Sequence, residues 1–188
     1  MNDGLYPEEE EREVSVYKKE LIDWVEALVM AVVFVVLLFT FVMRTAGVNG
    51  DSMFPTLENR DALLISRFLY EPKQGDIVVV TRISEPTEPL IKRVIATENQ
   101  TVDIDFQQGV VSVDGQPLEE PYTFEPTYVQ YDVEFPQTVP EGTVFVMGDN
   151  RNHSLDSRDS DIGMIDKRYV LGRAFFRIMP FERGGFLS

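Results

Sequence analysis

The sequence contains no cysteine, so neither a disulfide framework nor a thiolate metal site is open to it, and its stability has to come from packing. Histidine is almost as scarce. His153 is the only one, which excludes a zinc site built on two or three imidazoles and leaves any serine–histidine–aspartate scheme a single base to draw on. Positive charge is short as well: 17 Lys and Arg against 32 Asp and Glu set a net charge of −15. The clustered cations that phosphate contacts require are missing, so a nucleic-acid partner is excluded. At 188 residues there is still room for one domain, or one domain with an insertion, around a real core.

Long apolar runs occur in one place. Residues 27–43 are seventeen consecutive uncharged, mostly apolar residues, and extension back to Ile22 makes a helix of about 33 Å at about 1.5 Å per residue, enough to span a bilayer. Asp23 and Glu26 then fall near the headgroups and Trp24 at the interface. Lys18 and Lys19 before the run, against Arg44 after it, favour a cytoplasmic N-terminus and an extracytoplasmic bulk. Thr45-Ala46-Gly47 supplies small residues for a cleavable signal peptide, but the run is longer than a usual one, so an uncleaved single-pass anchor over 21–43 is expected in the cell membrane. Residues 1–20 are acidic, lack apolar periodicity and are expected to form a disordered cytoplasmic tail. Its Ser15-Val16-Tyr17-Lys18 matches an S-x-x-K motif that requires a buried helix start, and a charged tail is not one.

Beyond the anchor the pattern is that of strands. Short apolar runs at 62–65, 77–80, 110–113 and 143–147 are separated by turn residues, and Asp114-Gly115 is a hairpin turn. The fold class is therefore mainly β: an antiparallel core made of 44–101 and 141–188, preceded by the helix. The stretch 102–140, richer in proline and tyrosine, reads as a small inserted β subdomain.

Three constellations carry possible chemistry. In Gly50-Asp51-Ser52-Met53-Phe54-Pro55-Thr56-Leu57 the glycine frees the backbone and Pro55 restricts Phe54, so the Ser52 hydroxyl sits on a bend and is a candidate nucleophile; ordinary loop punctuation is the alternative. With histidine scarce, the base can be a lysine. Lys73 and Lys167 lie in polar turns and read as solvated. Lys92, in Leu90-Ile91-Lys92-Arg93-Val94-Ile95, shares a strand face with Leu90 and Val94, with Arg93 on the other. Burial there would lower its pKa and leave a neutral amine able to act as a base; a lysine reaching out to water from an edge strand is the alternative. The third constellation, Gly148-Asp149-Asn150-Arg151-Asn152-His153-Ser154-Leu155-Asp156-Ser157-Arg158, is dense in groups suited to Asp–Arg pairs and side-chain to backbone hydrogen bonds.

In this order, and together with Gly75-Asp76-Ile77-Val78-Val79, Val113-Asp114-Gly115, Glu120-Pro121-Tyr122 and the 172–181 stretch, these blocks resemble the bacterial type I signal peptidases, in particular the short Gram-positive members. The resemblance implies a membrane-bound serine endopeptidase that removes signal peptides from exported pre-proteins, close to the secretion translocon, with no metal or cofactor. It implies Ser52 as nucleophile, Lys92 as general base and Ser154 as the hydroxyl that orients the lysine. It implies structural ion pairs Asp149–Arg93 and Asp156–Arg158. Gly50 stands where many Gram-negative members carry a serine that helps the oxyanion hole, so Gly50, Asp51 and the Ser52 N–H are the expected backbone support there. A base at His153 and a non-enzymatic anchored assembly protein are the competing readings.

Overall fold

The structure is a computed structural model, and it describes residues 6–41, 43–81 and 89–187. The chain divides into two units, 1–42 and 43–188.

The first unit is a single α-helix, α1 (Tyr6–Phe41). Its first part corrects the expectation of disorder over 6–20. The missing apolar periodicity removed the sequence signal for a helix, but Glu, Lys and Arg, which dominate this stretch, are good helix formers. Farther along, Leu21, Ile22, Trp24, Val25, Leu28 and Phe34 are among the exposed apolar side chains. Among the described residues no helix is long and apolar enough to cross a membrane; Val42, inside the span expected from the sequence, lies outside them. The first five residues of the acidic tail, and 82–88 in the expected core, also lie outside the described residues.

The second unit is mainly β and antiparallel, as the apolar runs and turns predicted. Its strands are β1 (Met43–Gly47), β2 (Ala62–Ser66), β3 (Ile77–Val80), β4 (Leu90–Thr97), β5 (Thr101–Asp105) and β6 (Val110–Val113). They continue with β7 (Gln116–Pro117), β8 (Gln137–Thr138), β9 (Thr143–Met147), β10 (Ile165–Asp166), β11 (Val170–Met179) and β12 (Gly185–Phe186). One eight-stranded sheet runs β1-β2-β11-β3-β4-β9-β10, with β12 added on β11, and a four-stranded sheet runs β7-β6-β5-β8. The Asp114-Gly115 turn joins β6 to β7, with φ of 52° and 75°, the left-handed pair that a tight hairpin requires.

The central strands explain where the polar site can be held. In β3 all four residues are buried: Ile77 and Val79 enter one core cluster with Met53, Leu57 and Leu63, while Val78 and Val80 enter another with Val94, Val144 and Val146. Strand β4 is buried from Ile91 to Ala96, so Lys92 and Arg93 are enclosed although they point to opposite faces. A third cluster joins the two sheets, with Ile95, Ala96, Phe145 and Met147 of the large sheet against Val102, Ile104, Val111, Val113 and Val139. The excursion between β4 and β9 is closed at its base, where Glu98 accepts a hydrogen bond from the Gly142 N–H at 2.7 Å.

Candidate active site

Ser52 lies in a turn, as the glycine and proline around it predicted. Gly50 takes φ of +88°, a left-handed conformation that costs glycine little. The turn closes through the Phe54 N–H to the Asp51 carbonyl at 3.0 Å and the Leu57 N–H to the Met53 carbonyl at 2.9 Å. Met53 and Leu57 are buried and pin the turn to the core, while Ser52 keeps partial exposure.

Lys92 meets this serine. It is 2% exposed, and its Nζ donates to Ser52 Oγ at 2.8 Å and to Ser154 Oγ at 3.1 Å. Ser154 in turn donates to Asp156 Oδ2 at 2.8 Å. The lysine pKa falls from 10.5 to about 8, because burial penalises the ammonium more than the negative charge of Asp156 supports it; Arg158 also lowers it. Asp156 and Asp149 both support the ammonium, but burial outweighs them, and each is also bridged by an arginine. Arg158 makes two bonds across Asp156, Nε to Oδ1 at 2.8 Å and Nη2 to Oδ2 at 2.9 Å. Arg93 does the same to Asp149, at 2.9 and 2.8 Å, and donates to the Gly75 carbonyl at 2.7 Å. Both pairs are fully enclosed, with side chains at most 1% exposed.

The loop after β9 brings most of these groups together. Gly148 N–H donates to Asp156 at 3.0 Å, and the absence of a side chain on Gly148 is required, since a Cβ would lie 2.2 Å from Ser154 Oγ and 2.4 Å from the Ser52 carbonyl oxygen. Asn150 donates its N–H to the Ser52 carbonyl at 3.0 Å and its Nδ2 to the Asp51 carbonyl at 3.2 Å. Thus Asp51 joins the site through its backbone while its side chain is exposed. His153 is exposed, and Lys92 is the group found at Ser52 Oγ.

Several residues of the site had not been singled out from the sequence. Arg151 is completely buried, with Nε on the Gly148 carbonyl at 3.0 Å and its outer nitrogens on Glu120 at 2.8 and 2.5 Å and on Thr127 at 3.1 Å. Tyr122 stacks on the Arg93 guanidinium, 3.9 Å from ring centroid to Cζ. The excursion between β4 and β9 therefore supplies partners to Arg93 and Arg151, and the sequence signal for this is only the presence of Glu120 and Tyr122 in one block. Among the described residues no group of three or more His, Cys, Asp or Glu is arranged to hold a metal ion.

A serine hydroxyl at hydrogen-bonding distance from an enclosed amine, on a curled antiparallel sheet, defines the class of arrangement suited to acyl transfer by an amine-activated serine. The chain belongs to the family described as signal peptidase, peptidase S26, whose profile matches residues 21–179. It is 41% identical to a probable signal peptidase I-1 of Synechocystis sp. over 86% of this chain and 84% of that one, and 36% identical to a signal peptidase I of Bacillus licheniformis over 88% and 92%. A crystal structure of a signal peptidase I from Enterococcus faecalis V583 covers 55% of this chain and 97% of its own, at 27% identity and a TM-score of 0.44.

Proposed function

We propose that this member of the signal peptidase family cleaves the signal peptides of exported pre-proteins with Ser52 and Lys92. The observation that carries the reading is the 2.8 Å contact between Ser52 Oγ and an amine whose pKa is lowered to about 8. Neutral Lys92 takes the hydroxyl proton as Ser52 Oγ attacks the scissile carbonyl, and the developing oxyanion is met by the Ser52 N–H. The protonated lysine returns the proton to the leaving amine, which departs as the new N-terminus of the mature protein. Lys92 then activates a water that hydrolyses the ester, freeing Ser52 and the signal peptide. Ser154 orients the amine, and the Arg93–Asp149 and Arg158–Asp156 pairs brace the strands and loop that carry the two reacting groups. No step calls for a metal or a cofactor.

The same proposal assigns 44–101 and 141–188 to the catalytic core and 102–140 to an inserted cap. It assigns the part of 21–43 that lies in α1 to a lipid anchor, with the N-terminus cytoplasmic and the catalytic unit outside, near the secretion translocon; Met43, expected at the end of the anchor, instead begins β1 and pairs with Ser66. The apolar side chains exposed along α1 support the lipid assignment, since water is an unfavourable environment for so many of them.

Cleavage of a labelled pre-protein by purified variants tests the mechanism. Ser52→Ala and Lys92→Ala are each expected to lower turnover by roughly 10⁴-fold or more while leaving thermal unfolding cooperative. Turnover near the wild-type rate by either variant would remove the pair from the mechanism.

A further inference from the structure

Asn150 stands out among the residues the mechanism has not used. It is 7% exposed, and its Oδ1 is buried with no hydrogen-bond partner among the described residues, while its backbone N–H and its Nδ2 both reach the nucleophile turn. A buried acceptor left unpaired lowers stability, so its retention calls for a reason. The amide orientation is chemically determined: the atom facing the Asp51 carbonyl has to be Nδ2, because turning the amide over would set two acceptors against each other.

The two bonds from Asn150 fall on the two peptide groups that flank Ser52. Nδ2 donates to the Asp51 carbonyl, which shares a peptide plane with the Ser52 N–H; the backbone N–H donates to the Ser52 carbonyl, in the next plane. In a trans amide the N–H points away from the C=O, so holding the Asp51 oxygen fixes the direction of the Ser52 N–H. The Asp51 carbonyl also accepts from the Phe54 N–H at 3.0 Å, and an amide whose oxygen accepts two hydrogen bonds is a better donor through its nitrogen. Gly50, two residues before Ser52, has no side chain to contribute a hydroxyl, which leaves the oxyanion to backbone donors such as this one.

We propose that Asn150 is a positioning residue for the oxyanion donor: by holding the Asp51 carbonyl it aims and polarises the Ser52 N–H toward the oxygen of the tetrahedral intermediate. The proposal rests on Ser52 being the nucleophile. It assigns Asn150 no contact with substrate and no part in tuning Lys92, so its effect belongs to transition-state stabilisation alone.

The test compares wild type with Asn150→Ala and with the near-isosteric Asn150→Asp, which fills the same space but sets an acceptor against the Asp51 carbonyl. Active sites are counted by acylation of Ser52 with a penem, and rates are expressed per active site. Each variant is expected to lose about tenfold or more in kcat, a partial loss of one oxyanion donor, with KM within about twofold. The rising limb of the pH profile is expected to stay where wild type has it. Affinity for a peptide aldehyde ending in alanine, whose hemiacetal oxygen occupies the oxyanion position, should fall by the same factor as kcat. The proposal is overturned by unchanged kcat per active site, by a loss confined to KM, or by a kcat loss with unchanged aldehyde affinity. A variant that does not fold leaves the other to decide, and if neither accumulates folded protein the residue is structural and the proposal fails. Ser52→Ala is run alongside: its retaining activity would mean that the nucleophile assignment has failed, whereas an inactive Ser52→Ala with normal Asn150 variants would sink this proposal alone.

Discussion

Lys92 and Lys167 occupy two regions that treat the same ammonium group in opposite ways. Lys92 is enclosed in the large sheet, touches two serine hydroxyls and has its pKa lowered to about 8 by burial. Lys167 lines a surface cleft with Tyr70, Glu71 and Arg168, is a quarter exposed, and meets Glu98 at 3.0 Å and Glu71 at 3.6 Å. Its pKa is raised, chiefly by the hydrogen bond to Glu98. The sequence reads Lys167 as solvated; the structure also pairs it, and the pairing reinforces a charge that an ordinary lysine already carries at neutral pH. The contrast shows that proximity to carboxylates is not enough to hold a lysine charged. Asp149 and Asp156 raise the Lys92 pKa as well, but each is bridged by an arginine, and their support falls short of what the loss of water takes away.

Breaking one of those arginine pairs is the strongest way to disturb the contrast. Arg158→Met leaves Asp156 buried without its cation, and a destabilisation of roughly 3–5 kcal/mol is expected in chemical denaturation. Arg158 also lowers the Lys92 pKa, so its removal should carry the rising limb of the cleavage pH profile to higher pH. A limb that stays in place would mean that desolvation alone sets the lysine.

Lys92→Met tests the cost of the buried amine directly. A lysine whose pKa falls from 10.5 unfolded to about 8 folded destabilises the fold by up to about 3 kcal/mol below pH 8, where both states are protonated. As pH rises from about 8 to 10.5 the unfolded chain binds more protons, so that penalty is relieved and wild-type stability should rise. The variant is expected to be more stable than wild type at pH 7 and to lack this rise. Denaturation midpoints across that range decide the matter, and wild-type stability flat between pH 8 and 10 would show that the lysine is not desolvated.

Gly148→Ala sharpens the comparison by moving the partners of Lys92 without altering a charge. The added Cβ displaces Ser154 Oγ or the Ser52 carbonyl, and a loss on the order of 10²-fold in kcat is expected, since misplacement of reacting groups by about 1 Å has that scale of effect. The smallest effect belongs to the other region. Lys167→Ala removes a partly exposed surface pair far more tolerant of change, and steady-state cleavage with its pH limb should be unaltered.

Much of the fold was legible because its signals are local. Ile77–Val80 reads as a strand from its composition, Asp114-Gly115 as a hairpin from the backbone freedom of those residues, and Ser52 as lying on a bend from its glycine and proline. What was not legible depended on position in the sheet. Alternation placed Lys92 with Leu90 and Val94, but it says nothing of Arg93 on the opposite face, which is enclosed only because β4 lies between β3 and β9 with both faces covered. Arg151 looked like one polar residue in a polar loop; its burial comes from Glu120 and Thr127, 31 and 24 residues away. The helical start at Tyr6 carried no apolar pattern at all.

The sequence by itself determined which groups were available: one histidine, no cysteine, a serine on a glycine-bounded turn and a lysine among apolar neighbours, with family membership readable from the order of these blocks. Only the tertiary structure decided their states. It brings Ser52 and Lys92, 40 residues apart in the chain, to 2.8 Å, and it occupies both neighbouring aspartates with arginines. The physical reason is that a pKa and a hydrogen bond depend on what surrounds a group in three dimensions, and pairing across β3, β4 and the loop after β9 sets those surroundings through contacts between residues distant in the chain.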